Sequence, residues 1–125
     1  MRNIAAKEKY KKGDVIIKEG GFSDGTYVII SGKVEVAKIV GDKKIVVAVL
    51  VKDDIFGEMS FLQHEPRSAS VTAIEDCEIG LLDKDFLDNE LNKASQDFRL
   101  ILTQLTARLR KTTSELAELK LKGCG

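Results

Sequence analysis

The chain changes rhythm once, after Asp83. In its first half, glycine and aspartate interrupt it at short intervals, at Gly13-Asp14, Gly20-Gly21, Asp24-Gly25, Ser31-Gly32, Gly41-Asp42 and Asp53-Asp54, and β-branched runs fill the gaps. Residues 95–122 then contain no glycine or proline and are rich in Leu, Ala, Arg, Lys and Glu. Turn residues set φ and break helices, so the first part can only be short antiparallel strands, and the second part reads as one long helix. The expected strands are 14–18, 26–30, 33–39, 44–50, 69–74 and 77–82, with tight hairpins at Ser31-Gly32 and Gly41-Asp42. In the third strand Val34 and Val36 alternate with Lys33, Glu35 and Ala37, which gives one inward face and one wet face. A shorter helix is expected over 84–92, packing Phe86 and Leu87. Ser95 is positioned to cap the long helix, with Asp97 in its first turn and Gly123 at its end. Strands first and helices last define an α+β fold: an antiparallel β-roll over about 12–83, jelly-roll-like, with its helices over about 84–122.

At 125 residues and 43% hydrophobic content the chain suits a single domain, 1–125, with a modest core. Twenty basic and twenty acidic side chains cancel, so there is no global attraction for nucleic acid or an anionic membrane. No apolar run resembles a signal peptide or approaches the roughly 20 residues that span a bilayer, which points to the cytoplasm and no membrane partner. Cys77 lies in an expected strand and Cys124 near the end, too sparse a pair for a disulfide framework; Cys77 reads as a buried small apolar residue. His64 is the single histidine. A metal cluster and a metal-dependent phosphodiesterase need more imidazoles, and a Ser–His hydrolase would have to rest on this one residue, so no metal site, catalytic residue or cofactor is expected, and His64 is assigned to a surface loop.

Residues 56–73 read FGEMSFLQHEPRSASVTA. Gly57 permits close backbone approach, and a helix starting there offers amide N–H groups without partners inside the helix, suited to an anion. Arg67, just after the chain's one proline, supplies a planar fork of donors for two phosphate oxygens. The Glu58 carboxylate accepts from donors such as a sugar hydroxyl. A lone FGE also occurs in ordinary β-hairpins, and the competing reading is a Glu58–Arg67 ion pair in a cassette that no longer binds anything.

The segment resembles the phosphate-binding cassette of the cyclic nucleotide-binding domain family, in the order F-G-E-hydrophobic, then P-R-small-Ala-small-Val-x-Ala. The resemblance implies a short cassette helix, with Glu58 on the ribose 2′-hydroxyl, Arg67 on the cyclic phosphate, and the backbone of Gly57, Glu58, Met59 and Ser68 completing the cradle. Ser68 is similar to the serine of the bacterial catabolite activator branch, where the hydroxyl also reaches the phosphate, and departs from the alanine of the kinase regulatory subunits.

In the long helix Phe98, Leu102, Leu105, Leu109, Thr112, Leu116 and Leu119 recur at spacings of four and three, a heptad seam broken by the polar Thr112. The stretch RLRKTTSEL resembles the helix with which catabolite activator proteins dimerise and close over the base. That likeness puts the base-contacting hydroxyls on Thr112 and Thr113. Val47 and Leu50 are further candidates for the base face, read chiefly as core. Between Arg99 and Lys122, six basic residues face Glu115 and Glu118. A solvated flank with a Lys111–Glu115 pair explains them better than a nucleic-acid surface, and no helix-turn-helix follows.

Together these features lead to a non-enzymatic module that binds a cyclic nucleotide, cAMP with cGMP as the other candidate. The ligand would draw the long helix over the base, and that helix would form a homodimer. The alternative expectation is the sensor half of a catabolite activator-type transcription regulator whose DNA-binding domain lies outside this chain.

Overall fold

The computed structural model describes residues 3–58 and 65–124, the last by its backbone alone. Eight strands are found among them: β1 Ile4–Tyr10, β2 Val15–Ile17, β3 Tyr27–Ser31, β4 Val34–Val40, β5 Lys43–Leu50, β6 Ile55–Phe56, β7 Ser70–Ala73 and β8 Cys77–Leu82. Helix α1 (Lys84–Lys93) and helix α2 (Gln96–Cys124) follow. The strands form two four-stranded antiparallel sheets, ordered β1-β8-β3-β6 and β2-β7-β4-β5. Their inner faces bury Ile17, Ile29, Val34, Phe56, Val71, Ala73, Cys77 and Ile79. Tyr27 stacks on Phe56 with ring centroids 5.2 Å apart. This is the expected β-roll with a long C-terminal helix; the cassette helix expected from Gly57 onward runs into residues 59–64, which lie outside those described.

Two strands escaped the sequence pattern. β1 starts the roll at residue 4, ahead of residue 12, and pairs Tyr10 with Cys77 and Ile4 with Leu82. Its sequence IAAKEKY lacks the apolar alternation of a half-buried strand and leaves Lys7, Glu8 and Lys9 exposed, as suits a charged sheet edge. β6 has two residues, too few for any periodicity.

The Gly41-Asp42 turn joins β4 to β5, with Val40 opposite Lys43. At Ser31-Gly32 the expectation of a hairpin is corrected: β3 and β4 belong to different sheets, so this turn carries the chain across the core. Along β4 the expected alternation holds for Val34 and Val36, which face the core, and the pairing with β7 is unbroken; the register shift in the pairing with β5 leaves Val47 of β5 as the extra residue. Ala37, expected to meet water, is buried instead, in a strand on which α2 packs.

Asp83 caps α1 by accepting from the amides of Asp85 and Phe86. That helix buries none of its residues; Phe86 remains 38% exposed and does not enter the core as expected. The Ser95 hydroxyl accepts from the Phe98 amide at 3.1 Å and so caps α2. Gly123 does not stop α2, which runs on to Cys124, since glycine adopts right-handed helical angles as well as the left-handed angles of a cap. Among the described residues no helix is long and apolar enough to cross a membrane.

Candidate ligand-binding site

Gly57 follows β6 with φ +84°, and a Cβ there would lie 2.6 Å from the Gly25 carbonyl oxygen and 3.0 Å from Arg67 Nη1. Only glycine fits, and the space it leaves is where the Arg67 guanidinium sits.

Arg67 is 4% exposed. Its Nε donates to Ser23 Oγ at 3.1 Å, Nη1 to the Gly57 carbonyl at 3.1 Å and Nη2 to the Gly25 carbonyl at 2.8 Å. Its backbone is held as firmly: the Arg67 amide donates to Gly21 O at 2.7 Å, and the Gly20 amide donates to Arg67 O at 2.8 Å. A guanidinium has five N–H groups, so three internal bonds leave one N–H on each terminal nitrogen for an anion. Every acceptor it has among the described residues is neutral. The expected alternative, a Glu58–Arg67 ion pair, does not form; Glu58 acts on the guanidinium only through space. Asp24, one residue from the Gly25 acceptor, is engaged by Lys84 at 2.8 Å, and that hydrogen bond holds its carboxyl below the usual carboxylate range. Burial pushes the Arg67 pKa down, opposed by Tyr27, Asp24 and Glu58, and an arginine so placed keeps its charge. A buried cation without a counter-ion is costly and therefore a strong local attractor for an anion.

This guanidinium ends a cavity of about 390 Å³. Gly57, Glu58 and Ser68 share its polar end, while Val36, Val47, Ala48, Leu50 and Val71 form apolar walls. Val47 and Leu50 thus line the cavity and are not plain core residues. Behind the polar end Lys38 donates to the Ser68 carbonyl and lies 3.8 Å from Glu19, fixing the peptide that follows Ser68. Leu109, Thr112, Thr113 and Leu116 of α2 close the opposite side. The expected Gly57, Glu58, Arg67, Ser68, Thr112 and Thr113 therefore surround one space, with Thr113 half-buried and Thr112 more open. Met59 and His64 lie outside the described residues.

Helix α2 packs on β5 and β4. The face it docks overlaps the heptad seam only at Leu102: Ala117 is 0% and Thr106 7% exposed, with Leu102, Arg110, Thr113, Ser114 and Leu121 half-buried beside them. Arg110 Nη1 donates to Pro66 O at 3.0 Å while its Nε lies 3.5 Å from Glu65 Oε2, and Lys120 Nζ donates to Val46 O at 3.0 Å. The rest of the seam is divided: Leu109, Thr112 and Leu116 line the cavity, while Phe98, Leu105 and Leu119 are left 54%, 53% and 67% exposed. Lys111 and Glu115 do not form the expected ion pair among the described residues.

Sequence reasoning missed Ser23, Gly25, Lys38 and Arg110. Asp24-Gly25 was legible as a turn, but that its carbonyl meets residue 67 is a property of the folded chain. Arg110 was read only as part of a basic flank. Among the described residues no group of three or more His, Cys, Asp or Glu is placed to hold a metal ion.

Residues 7–94 match the family model of the Cyclic nucleotide-binding domain, and the chain belongs to that family. It is 31% identical over 111 residues to the CRP-like cAMP-activated global transcriptional regulator of Mycobacterium tuberculosis, covering 88% of this chain and 50% of the relative. The chain spans about half the length of the curated relatives it matches. Among solved structures it resembles the EAL enzyme Bd1971 in its cAMP bound form, at 29% identity and TM-score 0.81, covering 94% of this chain and 32% of that one. It is also similar to the Catabolite Activator Protein of Thermus thermophilus, at 29% identity and TM-score 0.69, covering 92% and 55%.

Proposed function

We infer that this domain is a regulatory sensor that binds a cyclic nucleotide monophosphate, cAMP foremost, and performs no chemistry on it. The observation that carries the reading is the buried Arg67 guanidinium, which among the described residues meets neutral acceptors alone and keeps an N–H on each terminal nitrogen, at the end of a cavity with apolar walls. A cyclic phosphate fits that end as a singly charged anion with two exposed oxygens. Glu58 and Ser68 beside it suit the ribose 2′-hydroxyl and a phosphate oxygen, and the backbone of Gly57 adds to the cradle. A purine then lies between the valine-rich wall and α2, within reach of Thr112 and Thr113. The cAMP named for both the M. tuberculosis relative and Bd1971 supports the choice of nucleotide.

Ligand can move α2 only by its difference in affinity for the two helix positions. The exposed seam of Phe98, Leu105 and Leu119 is an apolar stripe that a second copy of the helix would cover, so the working unit is a homodimer in the cytoplasm.

Side-by-side calorimetric titration with cAMP and cGMP tests the reading. Micromolar binding, about 8 kcal/mol, is expected for cAMP, with cGMP weaker. Glu58→Gln should erase most of the preference for cAMP over its 2′-deoxy analogue. Absence of binding by either nucleotide would overturn the proposal, and unchanged discrimination in Glu58→Gln would remove that residue from the ribose.

A further inference from the structure

The peptide that joins Pro66 to Arg67 is gripped from both sides. Its carbonyl, on Pro66, accepts from Arg110 of α2 at 3.0 Å, and its N–H, on Arg67, donates to Gly21 O in the β2–β3 loop at 2.7 Å. The same loop holds the Arg67 side chain through Ser23 Oγ and the Gly25 carbonyl. The guanidinium of Arg110 is also 3.5 Å from Glu65, the residue before Pro66. Thr113 lies one helical turn beyond Arg110 and lines the cavity.

We propose that Arg110 is a positioning residue that ties the location of α2 to the orientation of Arg67, so that helix and anion site are coupled by the protein itself as well as through the ligand. This rests on the reading of Arg67 as the phosphate ligand. A peptide plane hydrogen-bonded at both ends has two ways to respond when one end moves: it follows, or it loses a bond. Withdrawal of α2 pulls on Pro66 O or releases it, and either event loosens the segment that presents Arg67. An anion that holds Arg67 in place favours, by reciprocity, the docked position of α2. The side chain of Arg110 is 19% exposed and its bond to Pro66 O is charge-assisted but solvent-accessible, while Glu65 at 55% adds a screened charge.

The test uses the full chain with Arg110→Met and Arg110→Lys. In the ligand-free protein, Arg110→Met should raise hydrogen exchange about tenfold along residues 105–113 and also at the Gly20 and Arg67 amides, which bond across the loop. Its cAMP affinity should fall about five- to tenfold. Arg110→Lys keeps a cation near Glu65 without the planar reach and should restore part of both effects. Faster exchange in the helix with unchanged Gly20 and Arg67 amides and unchanged affinity would make Arg110 a plain helix clip and overturn the proposal, as would no change at either place. If the parent binds no cyclic nucleotide, the reading of the ligand fails, yet the Gly20 and Arg67 amides still decide whether Arg110 positions this segment.

Discussion

The two ends of the cavity are built on opposite principles. Around Arg67 everything is short-range and bonded: a glycine with no room for a side chain, a guanidinium with three internal acceptors, and a backbone paired on both faces. At the α2 end the contacts are apolar edges, two threonines and a few long basic side chains, on a helix whose seam is largely exposed. A preorganised end gives affinity because little ordering remains to be done on binding. A loosely held end gives response, because its alternatives differ by little free energy. One ligand long enough to touch both converts anchoring into movement.

Substitutions should separate the two. The largest effect is expected at the anchored end: Arg67→Ala should cost about 2–5 kcal/mol of nucleotide binding, as for removal of one partner of a desolvated charge pair. Affinity within about threefold of the parent would take the phosphate away from Arg67. Gly57→Ala, strained at φ +84° and driven against the Gly25 carbonyl, should cost about 1–3 kcal/mol of stability in a denaturant titration and weaken binding with it. A variant as stable as the parent would mean that this backbone is free to relax.

The helix end should behave differently. Ala117 is fully buried, so Ala117→Leu overpacks the contact with the roll, a change that typically costs about 1–3 kcal/mol, and it should lift α2 and, through Arg110, loosen the anion site without removing its charged group. Loss of binding as complete as in Arg67→Ala would erase the distinction between the ends. Thr112→Val and Thr113→Val should each cost about 0.5–1.5 kcal/mol and narrow the preference between cAMP and cGMP. Unaltered selectivity would remove these hydroxyls from the base. The smallest effect belongs to Asp24, whose carboxyl is held low by Lys84. The stabilisation from a depressed carboxyl is present above its unfolded-state pKa, about 3.9, and is lost as pH falls through the folded value. Asp24→Asn should therefore flatten the acid side of the stability profile slightly, and an unchanged profile would show the pair to be fully screened.

The same contrast explains what the sequence disclosed. Gly57, Glu58, Arg67 and Ser68 are close in the chain, and their types at those spacings are a local signal, so the anion end was legible before any coordinates. The supports of Arg67 come from Ser23 and Gly25, more than forty residues away, through a carbonyl that no residue type advertises. The Leu repeat of α2 was just as legible, yet it does not say which of its members meet the cavity, as Leu109 and Leu116 do, and which are left exposed, as Phe98, Leu105 and Leu119 are. The buried positions of the helix are Thr106 and Ala117, residues that hydrophobic periodicity passes over. In the roll, the charged edge strand β1 carries no regular apolar pattern, and the burial of Ala37 beneath a packed helix is not something alternation within one strand can report.

Hydrogen exchange of the unaltered protein with and without cAMP observes both ends at once. Protection is expected to rise at Gly57, Glu58, Arg67 and Ser68 and, in the same titration, along residues 109–116 of α2. Protection confined to the Arg67 end, with the helix exchanging at its ligand-free rate at saturation, would contradict a helix that answers the anchored ligand.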